Sequence, residues 1–399
     1  MSPHLPSVSM IVSDLSPSGA GRWGGAVRPF LIAQALQKLG CSVEILGFGG
    51  EGNPELVSSP KLPIYSFPAR PYPGFLESSR QLCRAIQGDL VYAYKLKPSS
   101  FGLACLYKRW TRKPLFLDID DWEMSWHGGD TWRYSPNPKQ LLRDIVKRDG
   151  ALRQPDHPFY LQKIESWVKL ADVVTTHNQF LRSRFSGYYI PNGKDVTLFD
   201  PKLYSPEASR QRYGLANYRV LMFPGAPRPY KGVEDVLEAL EQLNEPDLRL
   251  VIVGGSPYDD YDTQLKKRWG KWIIQLPKTP VAHMPAVIAA AHVVVVPQQN
   301  EPAAQAQFPL KLTDGMAMAK PILATQVGDI PLILGETGYL VAPSAPDQLA
   351  SQIQHIFSHW EEATDRGLAA RDRCTTHYSL DAMATQLANI FAETHLNRD

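Results

Sequence analysis

Short apolar runs alternate with longer amphipathic stretches along the whole of this sequence. Val8-Ser9-Met10-Ile11-Val12 is a compact β-favouring run, followed by the glycine-rich segment Ser18-Gly19-Ala20-Gly21-Arg22-Trp23-Gly24-Gly25. Apolar residues then recur at Val27, Leu31, Ala35 and Leu39, the spacing of one helical stripe, with Gly40 as its stop. A second β run at 43–46 closes a strand–helix–strand unit, which implies parallel strands. Further strands are predicted at 89–94, 115–119 and 172–176.

The pattern breaks at Phe199-Asp200-Pro201 and then restarts. Strands are predicted at 220–223, 249–253, 293–297, 322–325 and 338–341, with helices at 233–243, 283–290, 310–318, 346–358 and 380–394. The fold class is therefore α/β, with two Rossmann-like doubly wound domains facing a cleft. The expected division is 1–200, 201–375, and a C-terminal helical segment 376–399 packing back towards the first domain. Segment 120–160, rich in Trp, Pro, Arg and Asp, fits neither period. A long irregular insertion in a compact domain usually carries function.

Composition agrees. A chain of 399 residues exceeds the size at which one core stops growing. Hydrophobic residues at 44% and charged residues at 21% are those of a globular protein, and a net charge of +2 points away from nucleic acid. Cys41, Cys83, Cys105 and Cys374 form no CxxC or Cys/His cluster, which suits a reducing compartment and argues against structural zinc. No leader is read at 1–6, and the apolar run 287–297 is too short to span a bilayer. The expected location is cytoplasmic, or peripheral at the inner membrane face. The run Lys108-Arg109-Trp110-Thr111-Arg112-Lys113 reads as a solvated helix end, with contact to anionic headgroups as the alternative. Arg143 and Lys147, at i,i+4 spacing, would extend that face.

Two loops suggest chemistry. Pro224-Gly225-Ala226-Pro227-Arg228-Pro229-Tyr230-Lys231-Gly232 lies between a strand and a helix, where parallel α/β domains bind ligands. Arg228 and Lys231 beside a helix N-terminus would neutralise a diphosphate without a metal. In Phe308-Pro309-Leu310-Lys311-Leu312-Thr313-Asp314-Gly315-Met316-Ala317-Met318-Ala319-Lys320-Pro321, Lys311 and Asp314 share one side of a helix start. Asp314 there either complements the helix dipole or accepts hydrogen bonds from a nucleotide ribose.

Taken in order, Lys231-Gly232, Gly254-Gly255, the Asp314 to Pro321 run, Ala324-Thr325-Gln326-Val327-Gly328-Asp329-Ile330-Pro331 and Gly335-Glu336-Thr337-Gly338-Tyr339-Leu340-Val341 resemble the C-terminal half of the group 1 (family 4) retaining glycosyltransferases of the GT-B fold. Tyr189-Ile190-Pro191-Asn192-Gly193 is similar to the hinge approach of that family, and Gly24-Gly25 to its N-terminal donor-facing loop. The resemblance implies that Arg228 and Lys231 bind the donor diphosphate and act catalytically, that Lys311 and Asp314 hold the donor, with Asp314 on the ribose, and that Gly24, Gly25, Gly254 and Gly255 line the nucleotide.

Two departures stand out. The family's acidic pair is spaced by eight positions, but eight before Asp314 stands Ala306, and Glu301 is thirteen away. Gln305 and Gln307 are then the available hydrogen-bond donors. The family's arginine stands five before the lysine, where this chain has Ala226 and carries Arg228 closer.

Leu117-Asp118-Ile119-Asp120-Asp121-Trp122-Glu123 crowds four carboxylates at a strand end, so some must be exposed, paired or shifted in pKa. The resemblance places Asp120 and Asp121 where the family faces the transferred sugar or acceptor; a plain acidic turn and a Mg²⁺ site are the alternatives. His127 and Trp122 are acceptor-side candidates, and His177 ends another strand. The implied activity is transfer of a hexose from a nucleoside diphosphate sugar to an acceptor, with retention and with neither cofactor nor metal. The alternatives are a catalytically silent GT-B protein that binds a nucleotide sugar or a partner enzyme, and a nucleotide-sugar epimerase.

Overall fold

The computed structural model describes residues 6–15, 27–49, 62–256 and 259–394. They form two units, Met1–Pro191 with Met383–Asp399, and Asn192–Ala382. The first holds a seven-stranded sheet of β1 (Val8–Val12), β2 (Val43–Gly49), β3 (Ile64–Pro68), β4 (Leu90–Tyr94), β5 (Leu115–Ile119), β6 (Val173–Thr176) and β7 (Tyr188–Tyr189). Its order is β3-β2-β1-β4-β5-β6-β7, and each pairing is parallel. The second unit's six strands are β8 (Arg219–Pro224), β9 (Leu248–Val253), β10 (Ile273–Leu276), β11 (Val293–Val296), β12 (Ile322–Thr325) and β13 (Tyr339–Val341). They run β10-β9-β8-β11-β12-β13, again all parallel.

Both sheets have the doubly wound order that the strand–helix alternation predicts, because the described crossovers from β1 to β2 and from β3 onwards within each sheet carry helices that must cover one face. The second unit shows this clearly. Met222, Val251, Val294 and Val296 pack into a core on one face, and Leu221, Phe223, Leu250, Ile252, Val293 and Val295 into a core on the other. Successive strand residues point to opposite faces, so a continuous apolar run means both faces are covered.

In the first unit the final helix supplies Met383, Leu387, Ile390 and Phe391 to the core of β1, β4 and β5, with the Phe391 ring 5.7 Å from that of Phe116. The first helix (Val27–Lys38) buries Arg28, Ile32, Ala35 and Leu36, while Leu31 and Leu39 are only half-buried. The predicted stripe is thus rotated, because Arg28 is drawn inwards to an acidic partner. Segment 120–160 is also less irregular than its composition suggests. It contains 3-10 turns at Glu123–His127 and Gly129–Thr131, then the helix Pro138–Val146, a further 3-10 turn at Ala151–Arg153 and the start of the helix Pro158–Ile164. Among the described residues no helix is long and apolar enough to cross a membrane.

Candidate functional site

In the second unit the chain builds outwards from β8 through β9 to β10, then returns to place β11 on the other side of β8. The loops leaving β8 and β11 diverge there, and such a reversal is where open α/β sheets take ligands. The two loops are locked together. A Cβ on Gly232 would lie 1.8 Å from the Pro297 carbonyl oxygen, and Gly232 has φ +65°, so glycine alone fits. The Gln299 N–H donates to the Tyr230 carbonyl at 2.8 Å, and its side-chain amide donates to Asp235 Oδ2 at 2.6 Å.

Three cations converge on this crevice. Half-buried Lys231 donates from Nζ to the Ala226 carbonyl at 2.9 Å. Burial, then the nearby charges of Lys311 and Arg228, hold its pKa well below the ordinary lysine value. Lys311 is buried with Nζ 4.5 Å from the Phe223 ring centroid and its Cε beside Gly225. Desolvation lowers it to about 8, against the pull of Asp314. Two crowded lysines with no carboxylate in hydrogen-bond contact among the described residues are electrostatically unfavourable alone and well suited to an anion. The helix that follows (Val233–Leu243) adds less than its position suggests, because Glu234 and Asp235 occupy its first turn and partly offset its dipole.

Asp314 sits on the helix Leu310–Ala317 and its carboxylate pairs with Lys194, whose Nζ also lies 3.8 Å from the Phe199 ring centroid. Lys194 was not singled out from sequence. It is placed by backbone bonds to Tyr378 and Leu380, a juxtaposition invisible along the chain. Ala306 is fully buried. Gln305 donates to Asn300 at 2.7 Å and Gln307 to the Tyr230 hydroxyl at 3.2 Å, so both amides are engaged within the protein. Gly254 follows β9 with φ +99° and accepts from Gln275 at 2.7 Å. A Cβ on Gly255 would meet Asp262 at 2.6 Å.

The first unit gathers a second charged cluster at the C-terminal edge of its sheet. Arg28 makes a two-pronged bond to Asp118, at 2.6 and 2.7 Å, with both groups almost fully buried. Thr175 Oγ1 donates to Asp118 at 2.7 Å. Lys95, held at φ 73°, an uncommon backbone state for a residue with a side chain, reaches Glu123 at 2.9 Å, Asp120 at 3.5 Å and Asp121 at 4.0 Å. The Tyr94 hydroxyl donates to Asp120. Burial raises Asp120, opposed by Lys95 and Tyr94. Burial also carries Asp121 to about 6, again opposed by Lys95. Glu123 goes the other way, because Lys95 and Lys97 outweigh its burial and lower it to about 2.

The four crowded acids are thus resolved by pairing and by shifted pKa. Asp118 is a structural ion-pair partner, and Asp121 is the carboxyl that burial raises to about 6. His177 is buried at the same edge and kept neutral by desolvation and by Arg28 and Lys95. Arg28 and Lys95 were both missed from sequence. The available signals were an arginine on the apolar side of a helix and a lysine directly after a buried strand.

The remaining candidates are dispersed. Trp122 is buried, with the Arg184 guanidinium 4.0 Å from its ring centroid and its N–H donated to Glu165 at 3.0 Å, so its ring is a packing element. His127 is exposed on a 3-10 turn. Gly24 and Gly25 lie outside the described residues. In the basic run, Lys108 is tied to Asp172 at 2.6 Å and Lys113 to the Gly88 carbonyl at 2.7 Å. That run leads into the N-terminal end of β5, whereas Arg143 and Lys147 follow its C-terminal end.

Comparison with known proteins agrees with this architecture. The family model described as glycosyl transferases group 1 matches residues 218–359. The chain is 24% identical to a D-inositol 3-phosphate glycosyltransferase of Corynebacterium efficiens, over 98% of this chain and 95% of that protein. It is 27% identical to a GDP-mannose-dependent alpha-(1-6)-phosphatidylinositol monomannoside mannosyltransferase of Mycolicibacterium smegmatis, over 63% and 71% of the two chains. Among solved structures, Anabaena HepE in complex with UDP and glucose superposes with a TM-score of 0.73 at 18% identity, covering 98% of this chain and 100% of that one. Two parallel Rossmann-like sheets give the chain the GT-B fold, and its cation-lined crevice lies inside the segment that matches the group 1 glycosyltransferase model, the segment shared with relatives that are glycosyltransferases.

Proposed function

We propose that the protein transfers a hexose from a nucleoside diphosphate sugar to a glycan, lipid-linked or small-molecule acceptor, with retention of configuration. The observation that carries this reading is the convergence of Arg228, Lys231 and Lys311 at the strand-order reversal of the second sheet. A departing nucleoside diphosphate accumulates negative charge on its β-phosphate, and fixed cations stabilise it in the transition state without a metal ion. HepE was crystallised with UDP and glucose, and a relative is named for GDP-mannose, which supports a nucleotide-sugar donor and leaves the base and sugar open. In the first unit, Asp120 and Asp121 are the groups best suited to receive an acceptor hydroxyl, both being carboxylates at the C-terminal end of β5 whose burial raises their pKa.

The test is release of nucleoside diphosphate from UDP-, GDP- and ADP-sugars across an acceptor panel, with and without EDTA. Acceptor-dependent turnover that survives EDTA is expected, with the anomeric configuration of the product read by NMR. Saturable donor binding with no turnover on any acceptor would overturn the transferase reading, and hydrolysis or epimerisation without acceptor would replace it.

Lys194 provides a second check. If Asp314 accepts the ribose hydroxyls, Lys194 is the positioning residue that orients its carboxylate. Lys194→Met should weaken nucleoside diphosphate binding about tenfold, the scale of one charge-assisted contact. It should also narrow the preference for the ribose form over the 2′-deoxyribose form of the same nucleotide. Unchanged discrimination between the two sugars would separate the pair from ribose recognition.

A further inference from the structure

The helix Pro138–Val146 presents its apolar side outwards. It is well formed locally, with Asn137 Oδ1 accepting the Gln140 N–H at 2.8 Å and Pro138 in the first turn. Its one buried residue is Asp144, which accepts from the Tyr134 hydroxyl at 2.6 Å and so turns the acidic side inwards. Leu141, Leu142, Ile145 and Val146 share the opposite face and are 39%, 64%, 54% and 64% exposed. This inverts the usual surface helix, whose apolar stripe faces the core.

Beside that stripe stand four exposed cations, Lys139, Arg143, Lys147 and Arg148. The exposed acid among them, Asp149, is paired with Arg143 at 3.0 Å. The whole chain carries only +2, so this short segment concentrates positive charge well beyond the average of the protein. Ile145 and Val146 also border a groove of about 500 Å³ lined by Tyr72, Leu152 and Tyr160.

We propose that this helix docks the protein on an anionic lipid surface, its four apolar side chains entering the headgroup boundary and its cations meeting lipid phosphates. Charge complementarity selects this occupant. An outward apolar stripe edged by Lys and Arg, with its carboxylate folded away, is the pattern that lies in the plane of a negatively charged bilayer. The area argues the same way. Four partly exposed side chains offer on the order of a few hundred Å², well short of the ~800 Å² per partner typical of a stable protein interface. The proposal is independent of the donor reading, because it uses no residue of the nucleotide crevice.

The experiment is flotation of the full chain with vesicles of phosphatidylcholine alone and of phosphatidylcholine mixed with phosphatidylglycerol. The wild type should float with the mixed vesicles and not with the neutral ones, and added salt should weaken its binding. The variant L142E/V146E should lose about tenfold in partitioning, since both apolar anchors go. K139E/K147E, which keeps the stripe, should lose a similar amount through charge alone. Both variants alter exposed positions, and nucleoside diphosphate binding and Tm are measured on each to show an intact fold. Equal flotation of wild type and L142E/V146E overturns the proposal, as does absence of wild-type binding to mixed vesicles. A wild-type dimer that L142E/V146E dissociates in light scattering would overturn it in favour of a second copy of the chain.

Discussion

Replacing Lys231 by alanine is expected to lower turnover by about 10²–10³-fold, the usual cost of removing one preorganised group that meets developing charge. It should also abolish thermal stabilisation by the preferred nucleoside diphosphate. Burial and two neighbouring cations already disfavour the charged form of this side chain, so the ammonium gains most when an anion enters. The same reasoning fixes a pH dependence. Lys311 is lowered from 10.5 to about 8, so in the free protein its burial opposes folding below that value. This opposition fades as pH rises from about 8 towards 10.5, because the folded lysine is then neutral while the unfolded one still binds a proton. The free protein should therefore gain stability across that window. A bound diphosphate raises both lysine values, so binding takes up protons and weakens as pH rises through 8. Calorimetry in buffers of different ionisation heat should show proton uptake between about pH 7 and 9, smaller in Lys231→Ala. Equal uptake and equal stabilisation in parent and variant would remove Lys231 from the phosphate site.

The largest effect on stability is expected at Arg28. Its guanidinium and the Asp118 carboxylate are 2% and 0% exposed, and Arg28→Met leaves that carboxylate buried, accepting from the Thr175 hydroxyl but without its cation. Stranding one member of a buried pair costs about 3–5 kcal/mol. For a unit of this size the melting temperature should fall by roughly 10 °C. The double variant R28M/D118L removes both charges and should recover a large part of the loss, since a buried pair is often no better than an apolar replacement. Thermal denaturation of the two variants decides this. A change of only one or two degrees in Arg28→Met would mean that water reaches the pair.

Much of the fold was legible from the periodicity of apolar residues, because a parallel strand covered on both faces must be apolar throughout. Runs such as Val293-Val294-Val295-Val296 therefore stand out without any three-dimensional information. Strands β3, β7 and β10 were not read, and each includes polar or half-exposed positions that break this signal. The cations Arg228, Lys231 and Lys311 were legible as candidates because they follow strand ends or open helices, and the topology of a doubly wound sheet carries such positions to one edge.

What the sequence determined by itself is the succession of two strand–helix repeats, and with it the sheet edge on which ligand chemistry must lie. Only the tertiary structure decided which charges meet. Arg28 is ninety residues from Asp118, and Lys194 is 120 from Asp314. Ion pairs of that separation leave no periodic trace, because they depend on where strand order brings distant segments together. The outward face of Pro138–Val146 belongs to the same class. No period was read from that segment, and only the structure shows Leu141, Leu142, Ile145 and Val146 facing outwards while Asp144, bonded by the Tyr134 hydroxyl, is buried.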